Sequence, residues 1–164
     1  MPAISVSDIH FTAAKPEDFD YFYDLRKRTM VEHFMRAGKE WPEAEELALH
    51  RQRFDVHSLR MISLKGERIG FVGVRPVKDA VDIELFCIEP RFQNQGIGRR
   101  VMEMILTEPE LRGRKIILDV LHGNPAARLY ERLGFLRTHE DDKLAYYALS
   151  IQAPQITPPA PSCG

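Results

Sequence analysis

The chain reads as a mixed α/β layered domain, an antiparallel strand set leading into strand–helix–strand–helix–strand. Three observations predict this. Short apolar runs follow one another between residues 59 and 88 with turn residues between them. Apolar residues recur at helical spacing in residues 16–54 and 99–106. A turn carrying two glycines joins the last apolar run of the first set to a helix. With 164 residues, 44% of them hydrophobic and 29% charged, the chain can bury one substantial core.

The elements follow in order. Ile4 to Thr12 reads as a first strand, on the alternation of Ile4, Val6 and the Ile9/Phe11 pair. Lys15-Pro16-Glu17-Asp18 starts a helix, since proline is tolerated in a first turn and acids suit that end. Phe19, Phe22, Leu25, Met30 and Phe34 carry it to about Arg36. Gly38 and Trp41-Pro42 interrupt the pattern, and Pro42 opens a second helix, Glu43 to Phe54. Leu59 to Leu64, the Lys65-Gly66-Glu67 turn and Ile69 to Val77 form a hairpin, and Val81 to Ile88 adds a fourth strand. A helix marked by Val101, Met104 and Ile105 ends near Pro109, and Lys115 to Leu121 is a buried strand around Ile116-Ile117-Leu118. Asn124 caps a short helix with Pro125 at its first position and Gly134 at its end. Leu144 to Ile151 is the final strand. Residues 1–151 are expected to form one domain, and the Pro-rich stretch 152–164 a flexible tail.

Composition excludes several functions. A net charge of −1 argues against general nucleic-acid binding, which needs a basic excess or stripe. Arg112, Arg114 and Lys115 read as solvated surface. The two cysteines show no metal-type spacing and no disulfide framework; Cys87 sits in an apolar run as a buried thiol, and Cys163 lies in the tail. No metal site is expected. No apolar run reaches bilayer length and no basic-then-apolar leader opens the sequence, so a cytoplasmic protein that does not engage membranes is expected.

The chemistry concentrates in Gln93-Asn94-Gln95-Gly96-Ile97-Gly98. Strand, glycine turn and helix start gather unsatisfied backbone N–H groups and the positive end of the helix dipole around one point, where a phosphate can sit. Gly96 and Gly98 let the backbone bend and a bulky ligand approach. Arg99 and Arg100 stand in the first helical turn, where the dipole disfavours cations, and an anion would relieve that conflict. Gly98 is followed by Arg99-Arg100 rather than Lys-Ser/Thr, which excludes a nucleotide P-loop. Val101 replaces the third glycine of a dinucleotide fingerprint.

The remaining pattern, Gln-x-x-Gly-x-Gly after a strand ending Ile88-Glu89-Pro90, resembles the coenzyme A-binding motif of the GNAT superfamily of N-acetyltransferases. Asn124-Pro125-Ala126-Ala127-Arg128-Leu129-Tyr130, followed by Leu133-Gly134-Phe135, resembles that family's second signature. The likeness is specific from about Val72 to Phe135 and diffuse over the first 60 residues. It implies a mixed central sheet of six to seven strands flanked by about four helices, splayed between the fourth and fifth strands. It implies acetyl-CoA as donor, its pyrophosphate held by the main chain around Gln93, Asn94, Gln95, Gly96, Ile97, Gly98 and Arg99. A bulge in the strand Asp82 to Ile88 would open a gap in which the pantetheine arm lies as an added strand, using the main chain of Phe86 and Ile88, with Asn124 and Ala127 beside it. Tyr130 would protonate the departing thiolate. The resemblance also allows a homodimer through the last strands.

For the base that takes the amine's proton, Asp82 and Glu84 stand two residues apart, hence on one strand face. A gapless count places Asp82 where histone acetyltransferases of this family carry their glutamate, while Glu84 lies nearer the thioester in chain terms. His122 reads as a hydrogen-bonded loop histidine. Acceptor contacts are expected from Phe22, Arg26 and Trp41. The function expected first is acetyl transfer to a primary amine of a small or amino-acid-like molecule. A protein N-terminus or lysine is the alternative acceptor, and a non-catalytic acyl-CoA-binding module a second alternative, disfavoured by Tyr130.

Overall fold

The computed structural model describes residues 3–153. Of the expected tail, residues 154–164, including Cys163, lie outside the described residues. Among the described residues, seven strands form one sheet in the order β1-β2-β3-β4-β5-β7-β6. They are β1 (Ile9–Ala13), β2 (Leu59–Leu64), β3 (Glu67–Val77), β4 (Ala80–Ile88), β5 (Lys115–Leu121), β6 (Leu136–Glu140) and β7 (Leu144–Ser150). Four helices connect them: α1 (Phe19–Arg36), α2 (Glu43–Arg53), α3 (Ile97–Leu106) and α4 (Ala126–Arg132). Every neighbouring pair is antiparallel except β4–β5, which α3 joins by a crossover.

Two sequence expectations need correcting. The stretch from Ile4 is not extended throughout. Val6–Asp8 is a single 3₁₀ turn, because Ser5 accepts from the Ser7 amide and Asp8 from the Ser5 amide, an exchange that competes with strand pairing. The strand begins at Ile9, the first residue there to be buried. The second correction is β6, which no sequence pattern announced: all five of its residues are exposed, Leu136 included, so it carries no apolar alternation. It forms by pairing with β7 from Leu136 to Glu140.

Strand alternation splits the core in two. Ile62, Val72, Val74, Val81 and Ile83 face α3, whose Ile97, Val101, Met102 and Ile105 are sealed. Leu59, Met61, Phe71 and Cys87 face the other way, onto Phe22 and Leu25 of α1. Phe22 is stacked on Phe71 with ring centroids 4.2 Å apart. α2 is tied to α1 by Lys27 and Tyr23, which both reach Glu43 (2.5 and 2.8 Å). α1 in turn holds the far end of β4, since Arg28 and Tyr21 bind Glu89 (2.8 and 3.2 Å).

The sheet opens in the middle. β4 and β5 are paired only at Val81–Ile116 and Asp82–Ile117, and then diverge. On the other side of β4, Phe71 pairs with Cys87 but Gly73 with Glu84, so two steps on β3 span three on β4. The extra residue makes a β-bulge, with Leu85 in the left-handed region at φ 52°. Gly70 is required beside it: a Cβ there would lie 2.2 Å from the carbonyl oxygen of Cys87.

Candidate active site

The divergence of β4 and β5 leaves a cleft of about 740 Å³ between the sheet halves, roofed by α1 and α2. Leu85 and Phe86 have no register partner on β3 or β5, so the bulged stretch of β4 offers free main chain to the cleft. Ile88 is different. Its carbonyl already accepts from Gln93 Nε2 at 2.9 Å, leaving Phe86 as the open backbone of the two expected for an added strand.

Beyond β4 the chain turns through Asn94 (φ 58°) and Gly96 (φ 78°), both left-handed, and enters α3. The first helical bond runs from Arg100 N–H to Gly96 C=O. The amides of Gly96, Ile97, Gly98 and Arg99 therefore project ahead of the helix without a backbone partner. The side chains of Gln93 and Gln95 are not available to a ligand, because they brace the loop on Ile88 C=O and Arg91 C=O (2.9 and 2.7 Å). What the loop offers is main chain. A Cβ on Gly98 would meet only ordinary contacts, the nearest Leu129 Cδ2 at 3.6 Å. Glycine there keeps the approach to the amides open rather than relieving a clash. Arg99 is drawn back along the helix to Glu103 (2.9 Å).

Across the gap, Asn124 Oδ1 accepts from the Ala126 amide at 2.9 Å, the expected cap of α4, and Asn124 also lines the cleft. Ala127 is partly buried and packs on the main core next to it. Tyr130 is buried, its ring edge-on to Phe135 at 5.8 Å, and it borders the cleft. Among the described residues its hydroxyl makes no hydrogen bond. Burial, then the nearby Cys87 and Asp119, push its pKa above the ordinary tyrosine value, so it stays a proton donor. Cys87 is a free buried thiol whose pKa burial lifts to about 11, which keeps it un-ionised.

Three acids gather on this face. Asp82 and Glu84 share Arg75, with Nη2 3.2 Å from Asp82 Oδ2 and Nε 3.1 Å from Glu84 Oε1, as their two-residue spacing predicts. Burial raises both pKa values and Arg75 opposes it. Glu84 lines the cleft, and Gly73 makes room for it, since a Cβ there would lie 2.8 Å from Glu84 Cγ. Asp82 lies where β4 and β5 are still paired and does not border the cleft. The third acid, Asp119 on β5, escaped sequence reading. It borders the cleft as an exposed residue, and partial desolvation by the cleft walls raises its pKa, with Arg53 lowering it and Asp141 raising it. Among the described residues it has neither a hydrogen bond nor an ion pair. Its signal was an acid interrupting the run Ile116 to Leu121, just ahead of Gly123-Asn124.

The expected acceptor residues separate. Phe22 is fully buried core and has no surface in the cleft. Arg26 borders the cleft, but Glu46 holds it at 2.5 Å. Trp41 stands behind it, edge-on to Phe34 at 5.2 Å and 5.5 Å from the Arg26 guanidinium carbon, supporting the wall rather than forming it. His122 Nε2 is 2.7 Å from Asp141 C=O, the hydrogen-bonded loop histidine anticipated.

A family model described as an acetyltransferase (GNAT) domain matches residues 57–137. The ribosomal protein bS18-alanine N-acetyltransferase of Escherichia coli (strain K12) is 34% identical over 76 residues, 45% of this chain and 51% of that protein. The chain thus spans about half the length of the curated relatives it matches. The crystal structure of the ribosomal-protein-S18-alanine N-acetyltransferase from Escherichia coli superposes with a TM-score of 0.65 at 22% identity, covering 90% of this chain and 97% of that one. The paia N-acetyltransferase of Thermoplasma acidophilum, solved in complex with coenzyme A, gives a TM-score of 0.64 at 14% identity over 87% and 98% of the two chains. At such identities these two structures are alike in fold.

Proposed function

We propose, from the match of residues 57–137 to a GNAT acetyltransferase domain, that the protein is an N-acetyltransferase moving an acetyl group from acetyl-CoA to a primary amine. The seven-stranded sheet splayed between β4 and β5 is the fold of that family. The single observation that carries the reading is a cleft bordered by open β4 main chain and by Tyr130, whose hydroxyl is unpartnered among the described residues, with free α3 amides at the turn that follows β4.

The roles follow from this arrangement. The amides of Gly96 to Arg99 suit the donor's pyrophosphate, through hydrogen bonds and the helix dipole together. Phe86 extends main chain to the pantetheine arm. Tyr130, held protonated by burial, supplies the proton to the thiolate as it leaves. The incoming ammonium must lose a proton before attack. Asp119 is better suited to take it than Glu84: burial raises the pKa of both, but Glu84 is paired with Arg75 while the Asp119 carboxylate is unbonded among the described residues. Asp82, still inside the sheet pairing, plays no direct part.

The acceptor amine has two readings. A small amino-acid-like molecule fits a cleft of this volume. A polypeptide N-terminus is favoured by the name of the bS18-alanine N-acetyltransferase, which acts on such a group. The experiment is steady-state acetylation of an acceptor panel by wild type and Tyr130→Phe, with CoA affinity measured on both. Tyr130→Phe is expected to lower kcat about 100-fold or more with CoA affinity retained. Equal CoA binding with no amine turned over by either protein would sink the enzyme reading.

A further inference from the structure

One charged side chain in the cleft has no role in the donor half. Arg53, the last residue of α2, borders the cleft and lies within electrostatic reach of Glu84 on β4 and Asp119 on β5. Among the described residues it forms no ion pair within 4.0 Å and no side-chain hydrogen bond. Arg75 is committed to Asp82 and Glu84, and Arg26 is tied to Glu46 through Nη2, with its Nη1 buried without a partner in the wall of the cleft. A cation at a helix C-terminus is commonly a dipole partner, but Arg51 on the exposed surface of the same turn serves that purpose. An arginine that only neutralised Asp119 would close on it, because charge-assisted contact is stronger than a gap. Here the gap is wider than an ion pair, and cleft space adjoins both groups.

The pair therefore presents a carboxylate and an unspent guanidinium to the same space. That combination matches a molecule with an ammonium group and an oxygen acceptor a bond or two away. Building on the N-acetyltransferase reading, we propose that Arg53 is the specificity residue of the acceptor half. It hydrogen-bonds the carbonyl or carboxylate oxygen next to the reacting amine, while Asp119 faces the ammonium. The acceptor is then an α-amino group of amino-acid type, not a simple alkylamine. The planar fork of arginine suits an sp² oxygen, which a lysine in its place would meet only as a point charge.

The test uses three acceptors differing at one position: L-alanyl-glycinamide with a neutral carbonyl, free L-alanine with a carboxylate, and isopropylamine with neither. Each is acetylated by wild type, Arg53→Gln and Arg53→Lys, and L-alanyl-glycinamide is also titrated calorimetrically into the CoA-saturated proteins. Comparing variant with wild type on each acceptor cancels the different basicities of the amines. Arg53→Gln is expected to raise KM about 10- to 100-fold for whichever oxygen-bearing acceptor wild type uses, the loss of a charged hydrogen bond. The loss on isopropylamine should be at least tenfold smaller, and Arg53→Lys should recover free alanine better than the peptide. Preference of wild type for the peptide or for free alanine identifies the source of the α-amino group. Equal losses on all three acceptors, or none, would overturn the assignment. Arg53-dependent peptide binding without turnover by any protein would uphold the oxygen site and remove the transferase reading. Neither binding nor turnover by wild type would remove both.

Discussion

At the scale of single residues, the site depends on which groups are left without partners. Arg75 pairs with Asp82 and Glu84, and of the three acids Asp119 alone has no ion-pair or hydrogen-bond partner among the described residues. Asp119→Asn is therefore expected to lower kcat about 100-fold while CoA affinity holds, and Asp82→Asn to change kcat little; kinetics on the same acceptor decide between them. An unchanged rate in Asp119→Asn would return the base to Glu84 or to solvent. Tyr130 and Asn124 were legible because their spacing within Asn-x-x-Ala-x-x-x-Tyr marks them in one dimension. Asp119 was not, because an acid in an apolar strand acquires meaning only when the neighbouring strand leaves its side. Phe22 shows the opposite error: an aromatic at helical spacing looks the same whether it faces a pocket or, as here, Phe71.

At the scale of elements, the bulge on β4 and the seam between α1 and α2 bear most of the design. Gly70 lets β3 run against the bulged backbone, and Gly70→Ala drives a Cβ into Cys87 C=O. We expect a loss of about 3 kcal/mol in denaturant unfolding together with weaker CoA binding, since the bulge frees Phe86. The helical seam carries a pH dependence. His50 on α2 is fully buried against Phe19 and Phe54, with Nε2 3.4 Å from Phe19 C=O and Nδ1 unpartnered. Burial drives its pKa down from 6.5 to about 4, the Phe19 carbonyl partly opposing and Arg26 adding to the fall. A base with a depressed folded pKa contributes its full stability above pH 6.5 and loses it as pH falls towards 4, because the unfolded state then binds the proton more readily. Melting temperature should drop across that window in wild type, and the drop should be smaller in His50→Gln measured relative to its own value at pH 7.5. An identical pH slope in both proteins would assign the effect to other groups.

At the scale of the whole molecule, the protein is two half-sheets joined at Val81–Ile116 and Asp82–Ile117, with separate cores above and below. A ligand lying along the splay bridges β4, α3 and α4 at once, so binding and global stability are linked. CoA at 100 times its Kd is expected to stabilise the fold by about 2.7 kcal/mol, read as a rise in melting temperature, and no rise at saturation would argue against the cleft as the donor site. The sequence by itself marked the candidate donor half: a glycine turn, a capped helix and a tyrosine are local, and backbone N–H groups at a helix start need no distant partner to be recognised. It also determined the layered α/β class, because apolar periodicity records which face of each element is buried. Only the tertiary structure decided the remainder. It added β6, whose exposed residues carry no period and which exists through pairing with β7. It separated Asp119 and Arg53 from Glu84 and Arg26, because being partnered or free depends on distances between residues far apart in the chain. Gln93 to Gly98 is one continuous segment, while the cleft is lined from α1, α2, β4 and β5, and that is why a donor segment could be proposed from sequence and the acceptor groups could not.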